Sequence, residues 1–189
     1  MRNIMSTEPY VYPDEPLARK HDPKGYRTVE SYRDWLRDDF NYRCPFSLIR
    51  ETWFSEKEFE IDHLKPRSTH PDLLLSYENL VYLYHVCNNT KGARELPDPS
   101  EIRLAECLEV KPDGKIIHKN EEGRIIVRTL RLDGPIHTRL RKDWIWFYQK
   151  ALSDQELMDK LFGESRNKPD LTSKRPPSGG PAKWPNRGT

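Results

Sequence analysis

The sequence predicts an α+β fold, and two observations support this prediction. Polar and apolar residues alternate at 58–62, and apolar residues fill 80–84, so two short strands are expected. Apolar residues recur at helical spacing before the first strand, after the second, and through most of the chain between 120 and 163. With 35% hydrophobic and 11% aromatic residues, the chain has enough apolar side chains for one small core.

The elements follow in a definite order. A helix is predicted at 29–40, and the two strands enclose a polar loop at 66–77 that contains two prolines. The second strand leads into a short helix at 86–94, which completes a strand, loop, strand, helix unit. Beyond this unit, the patterns predict a hairpin with arms at 107–110 and 115–118, and helices at 122–130, 135–152 and 154–162. The stripe of the 135–152 helix that is expected to face the core consists of Ile136, Leu140, Trp144 and Phe147.

One domain is expected at 27–163, with an extension at each end. Residues 1–26 are rich in proline, tyrosine and charge without any period, which indicates an extended N-terminal arm. Residues 164–189 hold five prolines, six Lys or Arg and two acidic residues, and this composition predicts a disordered, basic, Pro-rich tail. Both extensions are expected to bind a protein partner, because they contain aromatic residues of the kind that anchor interfaces, namely Tyr10, Tyr12 and Trp184.

Composition excludes several classes of protein. The chain has no run of about 18 apolar residues, so no membrane span is expected, and the stretch 1–16 lacks the apolar centre of a signal peptide. Three cysteines, an odd number, argue against a disulfide scaffold. These features together predict a cytoplasmic protein. The formal net charge is only +2, so a nucleic-acid partner would have to be held by a local basic patch.

The residues that close the first strand point to hydrolysis of a phosphodiester. A neutral imidazole is suited to general-base work near neutral pH, and His63 offers one. The neighbouring carboxylate of Asp62 is a hard oxygen ligand for Mg²⁺ or Mn²⁺. Because adjacent side chains of a strand point to opposite faces, both residues can reach one phosphate only if the strand breaks at His63.

Other polar residues of the unit have chemistry that fits the same reaction. Asn79 precedes the second strand and can bind backbone groups of the preceding loop, which would hold His63 in place. The amide oxygen of Asn88, at the start of the following helix, is a second candidate metal ligand. Candidate contacts to the phosphates of a nucleic acid are Lys65, Arg67 and Lys91.

Three short blocks, in this order, resemble the HNH (His-Me finger, ββα-metal) endonuclease family. The blocks are Asp62-His63-Leu64-Lys65-Pro66, Asn79-Leu80 and Cys87-Asn88-Asn89-Thr90-Lys91-Gly92, and the family patterns are D-H-x-x-P, N-L and C-N-x-x-K-G. The resemblance covers about 43–94. It implies a ββα-metal core that cleaves nucleic acid, with DNA as the expected substrate. His63 then resembles the general base, Asp62 and Asn88 the ligands of one divalent metal ion, and Asn79 the residue that holds the loop.

The cysteines depart from the pattern of many HNH proteins, which frame the strand pair with two Cys-x-x-Cys pairs that bind zinc. Here each pair keeps one cysteine, because Ser47 follows Cys44 and Tyr84 precedes Cys87 at the paired positions. A closed zinc site needs four ligands, so no structural zinc is expected. A site made of Cys44, Cys87, His85 and a water molecule is the alternative.

The part of the chain after the strand pair is similar to the small HNH proteins of bacterial antiphage defence. The similarity lies in Pro99, Asp113-Gly114 and the Arg-rich helices. In the Septu-type systems such a protein works beside an ATPase, so the resemblance implies an ATPase subunit as partner. The alternative function is a catalytically silent module of the same fold that binds nucleic acid or a partner.

Overall fold

In the computed structural model, which describes residues 9–165 and 167–174, two separate antiparallel strand pairs are packed among helices. The predicted α+β class is confirmed. A 3₁₀ turn at Val29–Tyr32 leads into the first helix, so the single helix expected at 29–40 is divided into two parts. No helix of the described part is long and apolar enough to cross a membrane. The elements are α1 (Arg33–Asp39), β1 (Phe59–His63), β2 (Leu80–Tyr84), α2 (His85–Lys91), α3 (Leu104–Cys107), β3 (Leu108–Val110), β4 (Ile116–His118), α4 (Glu121–Leu130), α5 (Pro135–Ala151) and α6 (Gln155–Phe162).

Strands β1 and β2 form the pair that positions the candidate site. They run antiparallel, and their register pairs Phe59 with Tyr84 at one end and His63 with Leu80 at the other. All five residues of β2 are buried, because α1 packs against this strand and α2 follows it directly. Strand β1 is half-buried between its buried ends. The expected break at His63 is wrong by one residue, since the strand includes His63 and the chain bends only at 64 and 65.

The described part of the N-terminal segment, residues 9–26, contributes to the core. The hydroxyl of Tyr12 donates a hydrogen bond of 2.6 Å to the carbonyl of Phe46, and the ring of Tyr10 packs edge-on against Trp53. Both tyrosines are buried within the chain's own core. The sequence predicts that Tyr10 and Tyr12 anchor a protein partner. In the structure they are not exposed to a partner, because residues of the same chain cover them. Trp184, the third expected anchor, lies outside the described residues.

The buried face of helix α5 overlaps the expected stripe in part. Leu140 and Trp144 pack against the core as expected, and Trp144 stacks on Trp53 with ring centroids 4.2 Å apart. Ile136 is 60% exposed, and the buried residues are His137, Arg141 and Ala151. The Arg141 guanidinium donates to two loop carbonyls, those of Gly114 at 2.7 Å and Leu132 at 2.6 Å. Buried carbonyls need hydrogen-bond donors, so a long polar side chain, one residue after Leu140 and outside the expected apolar stripe, is also buried in the core.

The described part of the C-terminal segment also contacts the body. The backbone carbonyl of Asn167 accepts a hydrogen bond of 3.0 Å from Arg37, and the Asn167 amide donates to Glu56 at 3.1 Å. Lys174 forms an ion pair with Asp34. The tail predicted at 164–189 therefore has ordered contacts in its first part, and residues 175–189 lie outside the described range.

Candidate active site

A groove of about 470 Å³ opens beside the end of β1. Its floor and walls come from β1, from the loop that follows it, and from the end of α2. Gly92 closes α2 with φ of +55°, a conformation that glycine adopts without strain, and it lines the groove together with Ala93. The polar residues that line the groove are Asp62, His63, Arg67, Ser68 and Lys91.

The imidazole of His63 is held in one orientation by the loop. Its Nε2 atom lies 3.0 Å from the carbonyl oxygen of Leu74. A carbonyl can only accept a hydrogen bond, so Nε2 must carry the proton and Nδ1 keeps its lone pair. Nδ1 lies on the side of Asp62, 4.0 Å from Oδ1 of that carboxylate. The ring therefore presents a free acceptor nitrogen next to a carboxylate in the groove.

Asn79 fixes the loop that follows His63. Its Oδ1 accepts a hydrogen bond of 2.9 Å from the backbone N–H of Lys65, and its Nδ2 donates to the carbonyl of the same residue at 3.0 Å. Its own carbonyl accepts from the backbone N–H of Leu64 at 2.8 Å. Three bonds thus tie the start of β2 to the two residues directly after His63.

Lys91 lies in a different place from the one expected of a phosphate contact. Its side chain is buried, with only 1% exposed, and its Nζ lies 3.0 Å from Oδ2 of Asp62. This contact is an ion pair without the angles of a hydrogen bond, and Oδ2 of Asp62 is otherwise a buried oxygen with no hydrogen-bond partner. Lys91 therefore holds the Asp62 carboxylate from the protein side and is not a surface cation.

Asn88 and Glu60 form a second pair, next to the one between Lys91 and Asp62. The Nδ2 atom of Asn88 donates a hydrogen bond to Oε2 of Glu60. A carboxylate only accepts, so the amide must turn its NH₂ toward Glu60 and leave its carbonyl oxygen unused. Asn88 and Lys91 are three residues apart on one face of α2, and Glu60 and Asp62 share one face of β1. Sequence reasoning missed Glu60, although its shared strand face with Asp62 was the signal.

The strand pair, the loop that it encloses and α2 are matched together by one known family. Residues 44–94 match the family model of the HNH endonuclease. The match covers less than a third of the chain and supports the HNH family for this part, which we call the HNH segment. It implies a hydrolase that cuts nucleic acid. No curated protein matches the chain at a significant level.

HNH nucleases generally use a divalent metal ion, and the oxygen atoms of the HNH segment fit one. Asp62 offers its Oδ1 atom, since Oδ2 faces Lys91, and Asn88, which does not line the groove, offers the amide oxygen that its hydrogen bond to Glu60 leaves unused. These are hard donors of the kind that Mg²⁺ and Mn²⁺ prefer. Among residues 9–165 and 167–174, no three His, Cys, Asp or Glu side chains are arranged as a metal cluster.

The cations of the HNH segment differ in their access to the groove. Arg67 is exposed and lines it. Lys65 is also exposed, but it borders a neighbouring depression together with Glu78, Asp98 and Glu101. Of the three cations expected to contact nucleic acid, Arg67 is the one that is both exposed and in the groove.

The two cysteines of the HNH segment meet in the core. Both Cys44 and Cys87 are fully buried, and Cys87 Sγ lies 3.8 Å from Nε2 of His137, which α5 contributes. Burial raises the pKa of the Cys44 thiol, but hydrogen bonds with Cys87 and Ser47 outweigh this effect and lower the pKa to about 6. Burial lowers the pKa of His137 to about 4, so its imidazole is neutral at pH 7.

His85, the third member of the alternative zinc site, is bound elsewhere. Its Nδ1 lies 3.0 Å from Oε2 of Glu58 and its ring packs against Tyr84. The residue that approaches Cys87 is instead His137, which is distant in the sequence. The expectation that the chain binds no structural zinc stays a prediction.

Proposed function

We propose that this chain is a metal-dependent endonuclease that hydrolyses phosphodiester bonds of DNA in the bacterial cytoplasm. The observation that supports this function best is the fixed imidazole of His63 beside Asp62, in an open groove of the HNH segment. A groove with one oriented base, one carboxylate and one exposed arginine has the groups that phosphodiester hydrolysis requires.

His63 acts as the general base. Its Nδ1 accepts a proton from the water molecule that attacks the phosphorus, and the carbonyl of Leu74 continues to accept from Nε2–H. Arg67, which is exposed in the same groove, binds a phosphate oxygen of the substrate.

Asp62 and Asn88 are the ligands of one Mg²⁺ or Mn²⁺ ion. When bound, this ion supplies positive charge for the phosphate and for the leaving oxygen. Glu60 keeps the Asn88 amide turned so that its oxygen is free, and Lys91 keeps the Asp62 carboxylate in place. The residues of β1 and α2 thus prepare the ligand atoms through contacts that need no metal.

Cleavage of supercoiled plasmid DNA by the purified chain tests this function. We expect nicking or linearisation with Mg²⁺ or Mn²⁺ and none in excess chelator. Asp62→Ala and Asn88→Ala should each weaken the metal-dependent rate by about 10–100-fold, as loss of a group in a metal site typically does. Asn89→Ala is the matched control, because Asn89 is exposed on the same helix, and it should cut like the wild type. Full activity in chelator would contradict a metal mechanism.

A second prediction concerns the loop. Asn79→Ala removes the bonds to both backbone groups of Lys65 and leaves these groups without partners, so we expect a loss of about 1–3 kcal/mol in the free energy of unfolding. Since a displacement of about 1 Å in a catalytic group can cost 10²-fold in rate, cleavage should fall by about that factor. Urea denaturation and plasmid cleavage measure the two effects. A variant that is destabilised but cuts at the wild-type rate would mean that Asn79 has no part in placing His63.

One observation favours a second candidate function. The ammonium of Lys91 already neutralises Asp62, as would be expected in a catalytically silent module that binds nucleic acid or a partner. The chelator experiment separates the two functions. A chain that binds DNA but does not cut it with Mg²⁺ or Mn²⁺, either alone or with a co-expressed ATPase, would be the silent module.

We also propose that the nuclease is the effector of an antiphage defence system and works with an ATPase subunit. The resemblance of the downstream part supports this role. A net charge of +2 is small for unaided binding to nucleic acid, and α5 exposes apolar side chains that a partner would cover. These are Ile136, Trp146, Phe147 and, just after α5, Leu152. Gel filtration of the chain with a co-expressed ATPase checks the proposal, and separate elution of the two proteins would contradict it.

A further inference from the structure

Two arginines lie opposite each other in the turn before the first strand pair. Arg43 and Arg50 form an isolated antiparallel bridge, flanked by the backbone hydrogen bonds from Cys44 to Ile49 and from Glu51 to Tyr42, both 2.9 Å. Residues directly opposite in an antiparallel pair project to the same side, with Cβ atoms about 4.5–5.5 Å apart. Like charges in this arrangement repel each other. The fold thus starts two arginine side chains on the same side of this turn.

Neither arginine has an acidic partner in the described part of the chain. The contrast is Arg37 on α1, whose guanidinium binds both oxygens of Glu51 at 2.8 Å. Arg50 donates only to the carbonyl of Phe162, at 2.9 Å, and its Nε is buried without a hydrogen-bond partner. The side chain of Arg43 has no hydrogen bond or ion pair to any described residue. Both arginines are half-buried, and Arg50 also lies over the ring of Trp53, 5.6 Å from its centroid, so no carboxylate of the described residues balances either charge.

A cavity of about 280 Å³ adjoins both guanidinium groups. It lies between the end of α1, the turn with the two arginines and the chain after α6, and it shares no lining residue with the groove of the HNH segment. The hydroxyl of Thr52, which also lines it, is buried without a hydrogen-bond partner. The other charged residues in its lining are two lysines and two acids that are paired with them, namely Lys20 with Asp38 and Lys168 with Glu164.

The pKa values of the two arginines are lowered in this arrangement. Burial lowers the pKa of Arg50 to about 10, and the charge of Arg43 adds to the shift. Burial also lowers the pKa of Arg43. Both groups remain charged at pH 7. An anion in the cavity would supply the negative charge that no carboxylate of the described residues gives to the two arginines.

We propose that this cavity binds the phosphate group of a small molecule, either inorganic phosphate or a nucleoside monophosphate. The planar fork of a guanidinium matches the spacing of two phosphate oxygens, and two such forks face one cavity. The cavity is smaller than the roughly 300–1,000 Å³ of pockets that enclose drug-sized molecules, so it fits a small anion. This site is independent of the nuclease groove, and the proposal does not rest on the nuclease function.

Thermal unfolding and isothermal titration calorimetry of the full chain test the proposal. Inorganic phosphate should raise the unfolding temperature of the wild type more than sodium chloride does at equal ionic strength. Arg43→Gln should abolish this rise and weaken phosphate binding at least tenfold. Without phosphate, Arg43→Gln should unfold at the wild-type temperature or higher, because it removes one of two repelling charges. A lost response therefore cannot be mistaken for a lost fold.

Arg139→Gln is the matched control, because Arg139 is an exposed arginine of α5 that is paired only with Asp143, and it should respond to phosphate like the wild type. A nucleoside monophosphate should bind in the same way as phosphate. An oligonucleotide without a terminal phosphate should bind equally well to the wild type and to Arg43→Gln. The proposal is overturned if phosphate acts no differently from chloride, if Arg43→Gln responds like the wild type, or if only oligonucleotide binding is weakened.

Discussion

Replacing His63 with alanine should reduce the rate of DNA cleavage by roughly 10²–10⁴-fold, the contribution that general-base catalysis typically makes. The ring is only 8% exposed, and the Leu74 carbonyl fixes its Nε2 atom, so no other orientation of the imidazole is prepared for the reaction. Alanine removes the acceptor nitrogen but leaves Asp62, Asn88 and Lys91 in place. The rate of plasmid nicking at saturating Mg²⁺ measures the effect.

The same variant must keep its fold and its metal site for this result to be interpreted. Loss of the bond to Leu74 should cost about 1–3 kcal/mol, since that carbonyl is left without its donor. Binding of Mn²⁺, followed by electron paramagnetic resonance, should be retained because Asp62 and Asn88 are intact. His85→Ala is the matched control, since His85 pairs with Glu58 and does not line the groove, and it should cut normally. Wild-type cleavage by His63→Ala would rule out His63 as the base.

The strand pair and its helix could be predicted from the sequence because their patterns are local. Alternation of polar and apolar residues located β1 and β2 to within one residue, and the apolar run of β2 reflects its complete burial. The downstream hairpin and helices were also found within a few residues, because turn residues and helical spacing mark their limits. Such signals depend on neighbours in the chain, which the sequence displays directly.

Contacts between distant elements could not be predicted in the same way. The pairing of Lys91 with Asp62, and of Asn88 with Glu60, depends on how α2 crosses β1, and no local pattern contains that angle. The sequence therefore predicts a phosphate contact for Lys91, which lies three residues after Asn88. The core role of Arg141 has a similar cause, because it depends on loop carbonyls of other segments that need donors. In the N-terminal segment, the residues follow neither a helix nor a strand pattern. The sequence therefore gives no sign that Tyr10 and Tyr12 are buried in the core.

Deletion of residues 1–26 should abolish cooperative folding. The deletion removes Tyr10 and Tyr12 from the core, and truncation of a buried aromatic side chain typically costs about 3–5 kcal/mol. It also removes Arg19, whose guanidinium donates to the carbonyls of Glu78 at 3.0 Å and Leu80 at 2.8 Å, on either side of Asn79. Because a domain of this size has only about 5–15 kcal/mol of total stability, these losses together are comparable to the whole.

Thermal unfolding followed by near-ultraviolet circular dichroism measures this effect. The 27–189 fragment should lack both the aromatic signal and a cooperative transition, and its nuclease activity should be lost with the fold. Tyr12→Phe keeps the ring and removes only the hydrogen bond to Phe46, so it should cost about 0.5–1.5 kcal/mol and retain activity. Glu15→Ala is the matched control, because the side chain of Glu15 is 80% exposed in the same segment and is paired at 3.9 Å with an exposed arginine, Arg103, so this variant should unfold like the full chain. A 27–189 fragment that unfolds cooperatively at the wild-type temperature would contradict this prediction. Residues 1–26 would then be a separable arm that serves to bind a partner.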